Sequence, residues 1–338
     1  MGFVTPAQRY DVVCVGDVST DVFIRLPEAN FALRTDDRGT WLEIPFGAKV
    51  PYERSTTVEA GGSAANVAVG LARLGLRVGL ASFLAHDEIG RDLLAALHTE
   101  EIDTRLVHID SPAHTNRNFV LSYRAERTIL VWHEDFDYHW PHLRPSEVPT
   151  WLYLTSLGGN ARAYEDQIAE WLEEAPNVRL VLEPGTLQAE DGPDRLERLL
   201  RRAEVLICDR QHASLIAGVG GKDVSSLVDL LVKLGPRQVV VIDKGGGAGA
   251  SDGDRRFLVP PFPDESSPLD RTGADDAFAA GVTAALIRGL PFEHALRWGP
   301  VNFMAVSHQM GSQAGLLRDA ELKSHLDELG ERFSVQTA

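Results

Sequence analysis

The residues Asp270-Arg271-Thr272-Gly273-Ala274-Asp275-Asp276-Ala277-Phe278 form a polar, glycine-containing turn that runs directly into an amphipathic helical pattern. The first turn of a helix leaves backbone N–H groups unpaired and carries the positive end of the macrodipole, so such a turn is a ready anion site. Phosphate is the obvious anion. A carboxylate at the helix start, Asp276, could take a proton from a substrate hydroxyl as phosphate is transferred. Asp275 and Asp276 could equally do no more than complement the dipole as first-turn acids.

Two other stretches could hold a polyhydroxylated ligand. In Glu59-Ala60-Gly61-Gly62-Ser63-Ala64-Ala65-Asn66, paired glycines let backbone approach a ligand closely, and Asn66 lies one turn into the following helix. Gly before a capping Ser is also a plain helix start. Gly16-Asp17-Val18-Ser19-Thr20-Asp21 follows the first apolar run, where ligands bind in open α/β sheets. Asp21 could hold sugar hydroxyls there or belong to an ordinary turn. His133, Glu134, His139 and His142 cluster around Trp132 and Trp140, but their spacing matches no helix-borne metal motif and the nearby prolines indicate a loop.

These groups need a scaffold, and the apolar patterning supplies one. Runs at 11–16, 78–83, 151–156, 179–184, 204–209 and 238–243 read as core strands and alternate with helical patterns, which predicts βαβ units and a largely parallel, doubly covered sheet. Helices are predicted from Ser63 to Leu74 and from Asp275 to Arg288, each opening on glycine and stopping at glycine. Residues 22–60 and 116–132 have no covering helix; the second reads as a hairpin around Arg124-Ala125-Glu126. Together they predict a small, mostly antiparallel sheet that projects as a lid. With no linker, repeat or low-complexity stretch, residues 1–338 are expected to form one α/β domain.

Composition narrows the partners. The 33 basic and 49 acidic residues give a net charge of −16, so nucleic acid and anionic lipid are expected to be repelled. No apolar run approaches the ~18 residues that span a bilayer. The start MGFVTPAQRYD lacks the n- and h-regions of a secretion signal, and Pro6 occupies the position where myristoylation wants Ser or Thr. A cytoplasmic protein is expected. Cys14 and Cys208, the two cysteines, each fall in an apolar run and read as packing residues in a reducing compartment.

The order of these elements resembles the ribokinase-like, or PfkB, family of carbohydrate and nucleoside kinases over nearly the whole chain. Gly61-Gly62-Ser63-Ala64-Ala65-Asn66, followed by Gly70 and Gly75, resembles the family's first signature, and Asp270 to Gly281 its second. The resemblance implies a ribokinase-like doubly wound, mostly parallel sheet with a β-sheet lid. It also implies that ATP and Mg²⁺ are used to phosphorylate a hydroxymethyl group of a sugar or nucleoside. By the same resemblance Asp276 is the catalytic base, and Gly273, Ala274 and Asp275 supply anion-hole amides. Asp21, Gly61, Gly62 and Asn66 contact the acceptor. Lys244, Gly246 and Gly249 resemble the nucleotide-side turn, and Asn302 the residue bordering the nucleotide. A homodimer through the lid is a further expectation.

Two motifs depart from the family pattern. The anion-hole motif reads Gly-Ala-Gly-Asp in the family, and Asp275 stands at its third position. A carboxylate ~4 Å from a phosphate charge costs on the order of 4 kcal/mol at an effective dielectric of 20, so Asp275 is expected to point away, toward solvent or Arg271. The Asn-x-x-Glu motif associated with magnesium corresponds to Asp209-Arg210-Gln211-His212, which leaves Asp209 as the candidate metal ligand. These changes admit an alternative, a catalytically weakened sensor that binds ligand without turnover. A dinucleotide-dependent oxidoreductase is disfavoured because no G-x-G-x-x-G follows the first strand.

Overall fold

All six apolar runs form strands, and they lie side by side and parallel. In this computed structural model, which describes residues 9–37, 39–110, 113–124, 126–264 and 266–337, their spatial order is Val78–Ala81, Val12–Val15, Trp151–Leu154, Arg179–Leu182, Ala203–Asp209 and Gln238–Ile242. Antiparallel strands Ala248–Ser251, Arg256–Val259 and Gln336–Thr337 extend the last edge to make nine. Side chains alternate across a strand, and here both faces are covered. Val12 and Cys14 pack into one core with Leu71, Phe278 and Val282 of the helices Ser63–Arg73 and Ala274–Ile287. Val13 and Val15 pack into the other with Ile168, Leu196 and Leu227. Cys14 and Cys208 fall on opposite faces, both buried as free thiols.

The lid is a second, four-stranded sheet in the order Glu126–Leu130, Arg117–Tyr123, Ser19–Arg25 and Arg54–Gly61. Two of its three pairings are antiparallel, as expected, and Ser19–Arg25 pairs parallel with Arg117–Tyr123. Its makeup corrects the sequence reading in two respects. That strand starts at Ser19, which puts Asp21 inside the lid and not in a turn after the first core strand. The segment around Trp41 contributes Gly39–Glu43 to a separate ribbon with Ala32–Asp36. Ala125, the expected hairpin tip, and the chain start with Pro6 lie outside the described residues.

The carboxyl ends of the parallel strands open beneath the lid. A cavity of about 610 Å³ lies there, walled by strand-end residues Asp17, Thr155, Glu183 and Asp209, by lid residues Asp21, Asn118 and Arg127, and by the first turns of the helices Ser63–Arg73 and Ala274–Ile287. This is the crevice outside the strand ends where open α/β sheets hold ligands. Among the described residues no helix is long and apolar enough to cross a membrane.

Candidate active site

Gly273 begins the helix Ala274–Ile287 with left-handed backbone, φ +75° and ψ 4°. A Cβ there would come within 2.6 Å of Ser312 Cβ and 2.8 Å of Ser312 Cα, so the turn requires glycine on both conformational and steric grounds. Buried Asp270 fixes the approach by accepting from Thr272 N (3.0 Å), Thr272 Oγ1 (2.8 Å) and Gly311 N (3.2 Å). The amide of Ala274 is engaged by Arg271 O at 3.2 Å, which corrects its assignment as an anion-hole donor. The amides of Gly273, Asp275 and Asp276 have no acceptor among the described residues, and all three residues line the cavity. Such free donors suit phosphate.

Asp276 is held from a distant helix. Its Oδ2 accepts from Asn66 Nδ2 at 2.7 Å, and the Ser63 hydroxyl also bonds to the carboxylate. Asn66 is fixed in turn by Gln313, whose Nε2 donates to Asn66 Oδ1 at 3.0 Å and to Ala60 O. Burial pushes the Asp276 carboxyl up, the Asp21 charge adds to this, and the bonds from Asn66 and Ser63 pull it back. A raised carboxylate is a better proton acceptor.

Asp17, Asp21, Asn116 and Asn118 give another part of the cavity wall carboxylates and amides. Asp21 Oδ1 accepts from Ser19 Oγ (2.8 Å) and Asn118 Nδ2 (3.0 Å), and the Gly62 amide also bonds to the carboxylate. A Cβ on Gly61 would reach 2.4 Å from Asp21 Oδ2, so this glycine admits the lid carboxylate. Gly62, at φ +86°, lets the helix start pass close to the Asp17-Val18 backbone. Asp17 is a second buried carboxylate here: Tyr138 Oη lies 2.9 and 2.7 Å from its two oxygens, and His133 Nδ1 lies 3.6 Å away. Glu183, which accepts from Tyr153 Oη (2.7 Å) and Thr155 Oγ1 (3.2 Å), lies under the phosphate turn, and burial raises its carboxyl well above the usual range. Sequence reasoning missed Asp17, Glu183, Arg127, Tyr138 and Gln313. The first two stand just past parallel strands, a position that could have flagged them.

Asp209 Oδ1 accepts from His212 N at 2.7 Å and caps the helix Arg210–Ile216, while His212 Nδ1 lies 3.6 Å from Oδ2. Among the described residues no group of three or more His, Cys, Asp or Glu is placed to hold a metal ion. Mg²⁺ commonly takes one or two carboxylates and completes its shell with phosphate and water, and the Asp209 carboxylate on the cavity wall fits that chemistry, whereas the buried Glu183 carboxyl, raised well above the usual range, does not. His139 packs edge-on against Phe83 and His108, and Glu134 accepts from His114 N at 3.1 Å.

Comparison with known families matches residues 11–316 to the pfkB family of carbohydrate kinases. The chain belongs to the PfkB family. It is accordingly a sugar or nucleoside kinase, a phosphotransferase with an alcohol acceptor. It is 26% identical over 273 residues to 2-dehydro-3-deoxygalactonokinase of Haloferax volcanii, covering 76% of this chain and 85% of that one. It is 28% identical over 254 residues to fructokinase of Klebsiella pneumoniae, covering 68% and 78%. Its fold matches Arabidopsis thaliana ribokinase complexed with ribose and ATP with a TM-score of 0.75 at 19% identity, over 94% of this chain and 99% of that one. The ribokinase-like sheet and lid expected from the sequence are present.

Further residues matched to the PfkB pattern have defined surroundings. Asp275 does not point away: it lines the cavity, half-buried, and its carboxyl is pushed up to about 7 by burial, with the charges of Asp209 and Asp276 adding and those of Arg127 and Arg271 opposing. Asn302 is fully buried and donates to Ala277 O (2.8 Å) while accepting from Leu317 N (3.1 Å), so both ends of its amide are occupied and it braces the helix Ala274–Ile287. Gly249 lies inside a strand where a Cβ would meet Val224 Cγ1 at 2.7 Å, a packing role under the helix Val224–Val232. Lys244 is exposed in the turn after Gln238–Ile242, and Gly246, at φ +84°, lets that turn close over the Phe303 ring.

Proposed function

We propose that this PfkB kinase phosphorylates a hydroxymethyl group of a sugar or nucleoside with ATP, using Asp276 as general base. One observation carries the reading: the Asp276 carboxylate, fixed by Asn66, and the acceptor-free amides of Gly273, Asp275 and Asp276 open on the same cavity at the same helix turn. Asp21, Asn118 and Asp17 hold acceptor hydroxyls and present one of them to Asp276, which takes its proton. The three amides stabilise negative charge on the transferred group. The lid strands exclude water from that encounter. Bound ATP supplies the phosphoryl group; Mg²⁺ would offset the phosphate charge, with Asp209 as the carboxylate that would hold it, and the turn at Lys244 and Gly246 lies on the nucleotide side.

The test is ADP production with MgATP across a panel of sugars, sugar acids and nucleosides. At least one acceptor should raise ADP production at least a hundredfold over the acceptor-free rate. A second reading, a sensor that binds both ligands without turnover, is favoured by the Asp275 carboxylate in the phosphate turn. Saturable binding of an acceptor and of ATP with no acceptor-dependent ADP would establish it in place of the kinase.

A further inference from the structure

Six carboxylates line the cavity, those of Asp17, Asp21, Glu183, Asp209, Asp275 and Asp276, and Arg127 is its single Lys or Arg among the described residues. Arg127 comes from the lid strand Glu126–Leu130, and its guanidinium makes no hydrogen bond or ion pair with any described residue. A half-buried guanidinium with all its donors free, facing a cavity of acids, is a group that awaits an anion. It shares the cavity wall with Asp275 and Asp276, and its charge bears on both of those carboxyls. Asp275 makes no ion pair either, although a carboxylate at that wall opposes phosphate.

We infer that Arg127 and Asp275 act as one charge unit across the cavity, the lid guanidinium offsetting the carboxylate that this chain carries in its phosphate turn, so that the turn takes a nucleoside triphosphate only with Arg127 in place. The inference rests on the phosphotransfer reading above. It makes Arg127 a specificity element for the phosphate tail, needed because residue 275 is not glycine.

Calorimetric titration of the magnesium complex of a non-hydrolysable ATP analogue, and separately of AMP, tests it on the wild type, Arg127→Gln, Arg127→Lys, Asp275→Gly and the double variant Arg127→Gln/Asp275→Gly. Arg127→Gln should weaken the triphosphate at least tenfold and AMP less than twofold, and Arg127→Lys should recover most of the loss. In the Asp275→Gly background the same Gln substitution should cost less than threefold. Equal losses in the two backgrounds, or no loss in either, would overturn the pairing while leaving the kinase reading intact. A wild type that binds neither nucleotide would overturn both. Arg127 makes no hydrogen bond or ion pair with any described residue, so an unchanged melting temperature in the Gln variant separates these outcomes from misfolding.

Discussion

Asn66 Nδ2 donates to Asp276 Oδ2 at 2.7 Å, and this one bond joins the first turns of two helices whose sequences lie 210 positions apart. Because Gln313 holds the other end of the same amide, the orientation of Asp276 is set by a chain of three side chains that starts outside the cavity. On the proposed function Asn66 therefore has two tasks, lining the acceptor site and aiming the base.

Asn66→Ala should lower kcat as well as acceptor affinity. Leaving a buried charged group short of a partner costs about 1–3 kcal/mol, or roughly 5- to 150-fold in rate if it falls on the transition state. Gln313→Ala should reproduce the kcat loss with little change in acceptor KM. Steady-state kinetics on the two variants check this; an Asn66→Ala enzyme with altered KM and wild-type kcat would mean that the bond to Asp276 does not aim it.

Asp21→Ala should act differently. Its carboxylate is braced by Ser19, Asn118 and the Gly62 amide at the proposed hydroxyl end, so its removal should weaken acceptor binding at least tenfold and leave nucleotide affinity within twofold. Separate titrations of the two ligands measure this. Loss of nucleotide binding with acceptor binding kept would reverse the two ends of the site.

Gly273→Ala should be among the most damaging single-methyl changes in the chain. Left-handed backbone costs a non-glycine residue roughly 1–2 kcal/mol, and the added Cβ also meets Ser312 backbone at 2.8 Å. A fall in melting temperature of several degrees should accompany loss of activity. Ser312→Gly should not rescue it, because the Ser312 Cα and carbonyl oxygen remain in the way.

How far the sequence carries can be argued from particular residues. The six core strands were legible because apolar runs such as 238–243 must bury both faces, and Gln238–Ile242 does so. The helix starts at Gly62 and Gly273 were legible because glycine, polar and apolar positions agree locally. Ser19–Arg25 was read as a turn at its start because Ser, Thr and Asp carry no strand pattern; its pairing comes from partners at 54–61 and 117–123. Gln313 and Arg127 had no local motif to mark them. The surroundings of Asp275 are likewise not legible locally, because Arg127, which shares the cavity with it, comes from a lid strand far away in the sequence.

The Asp275 carboxyl, with an ordinary value of 3.8, is pushed up to about 7 in the folded chain. Between those values the native state binds the extra proton, so this group makes stability fall as pH rises from about 4 through about 7 and level off above. Asp275→Asn should flatten the dependence of melting temperature on pH in that window and be more stable than wild type at pH 8. Part of the slope should remain in the variant, because burial also raises the carboxyls of Glu165, to about 6, and of Asp21, Glu183 and Asp276. An unchanged slope in the variant would show that Asp275 titrates in the ordinary range.

Asp276→Asn separates a general base from a merely structural carboxylate once an acceptor is in hand. The amide keeps the shape of the side chain and an oxygen for Asn66 but cannot take the proton. With Asp276 as the proposed base, kcat should fall about 10²–10⁴-fold, with calorimetric affinity for acceptor and nucleotide within threefold of wild type. A variant that turns over within threefold of the wild type would rule Asp276 out as the base.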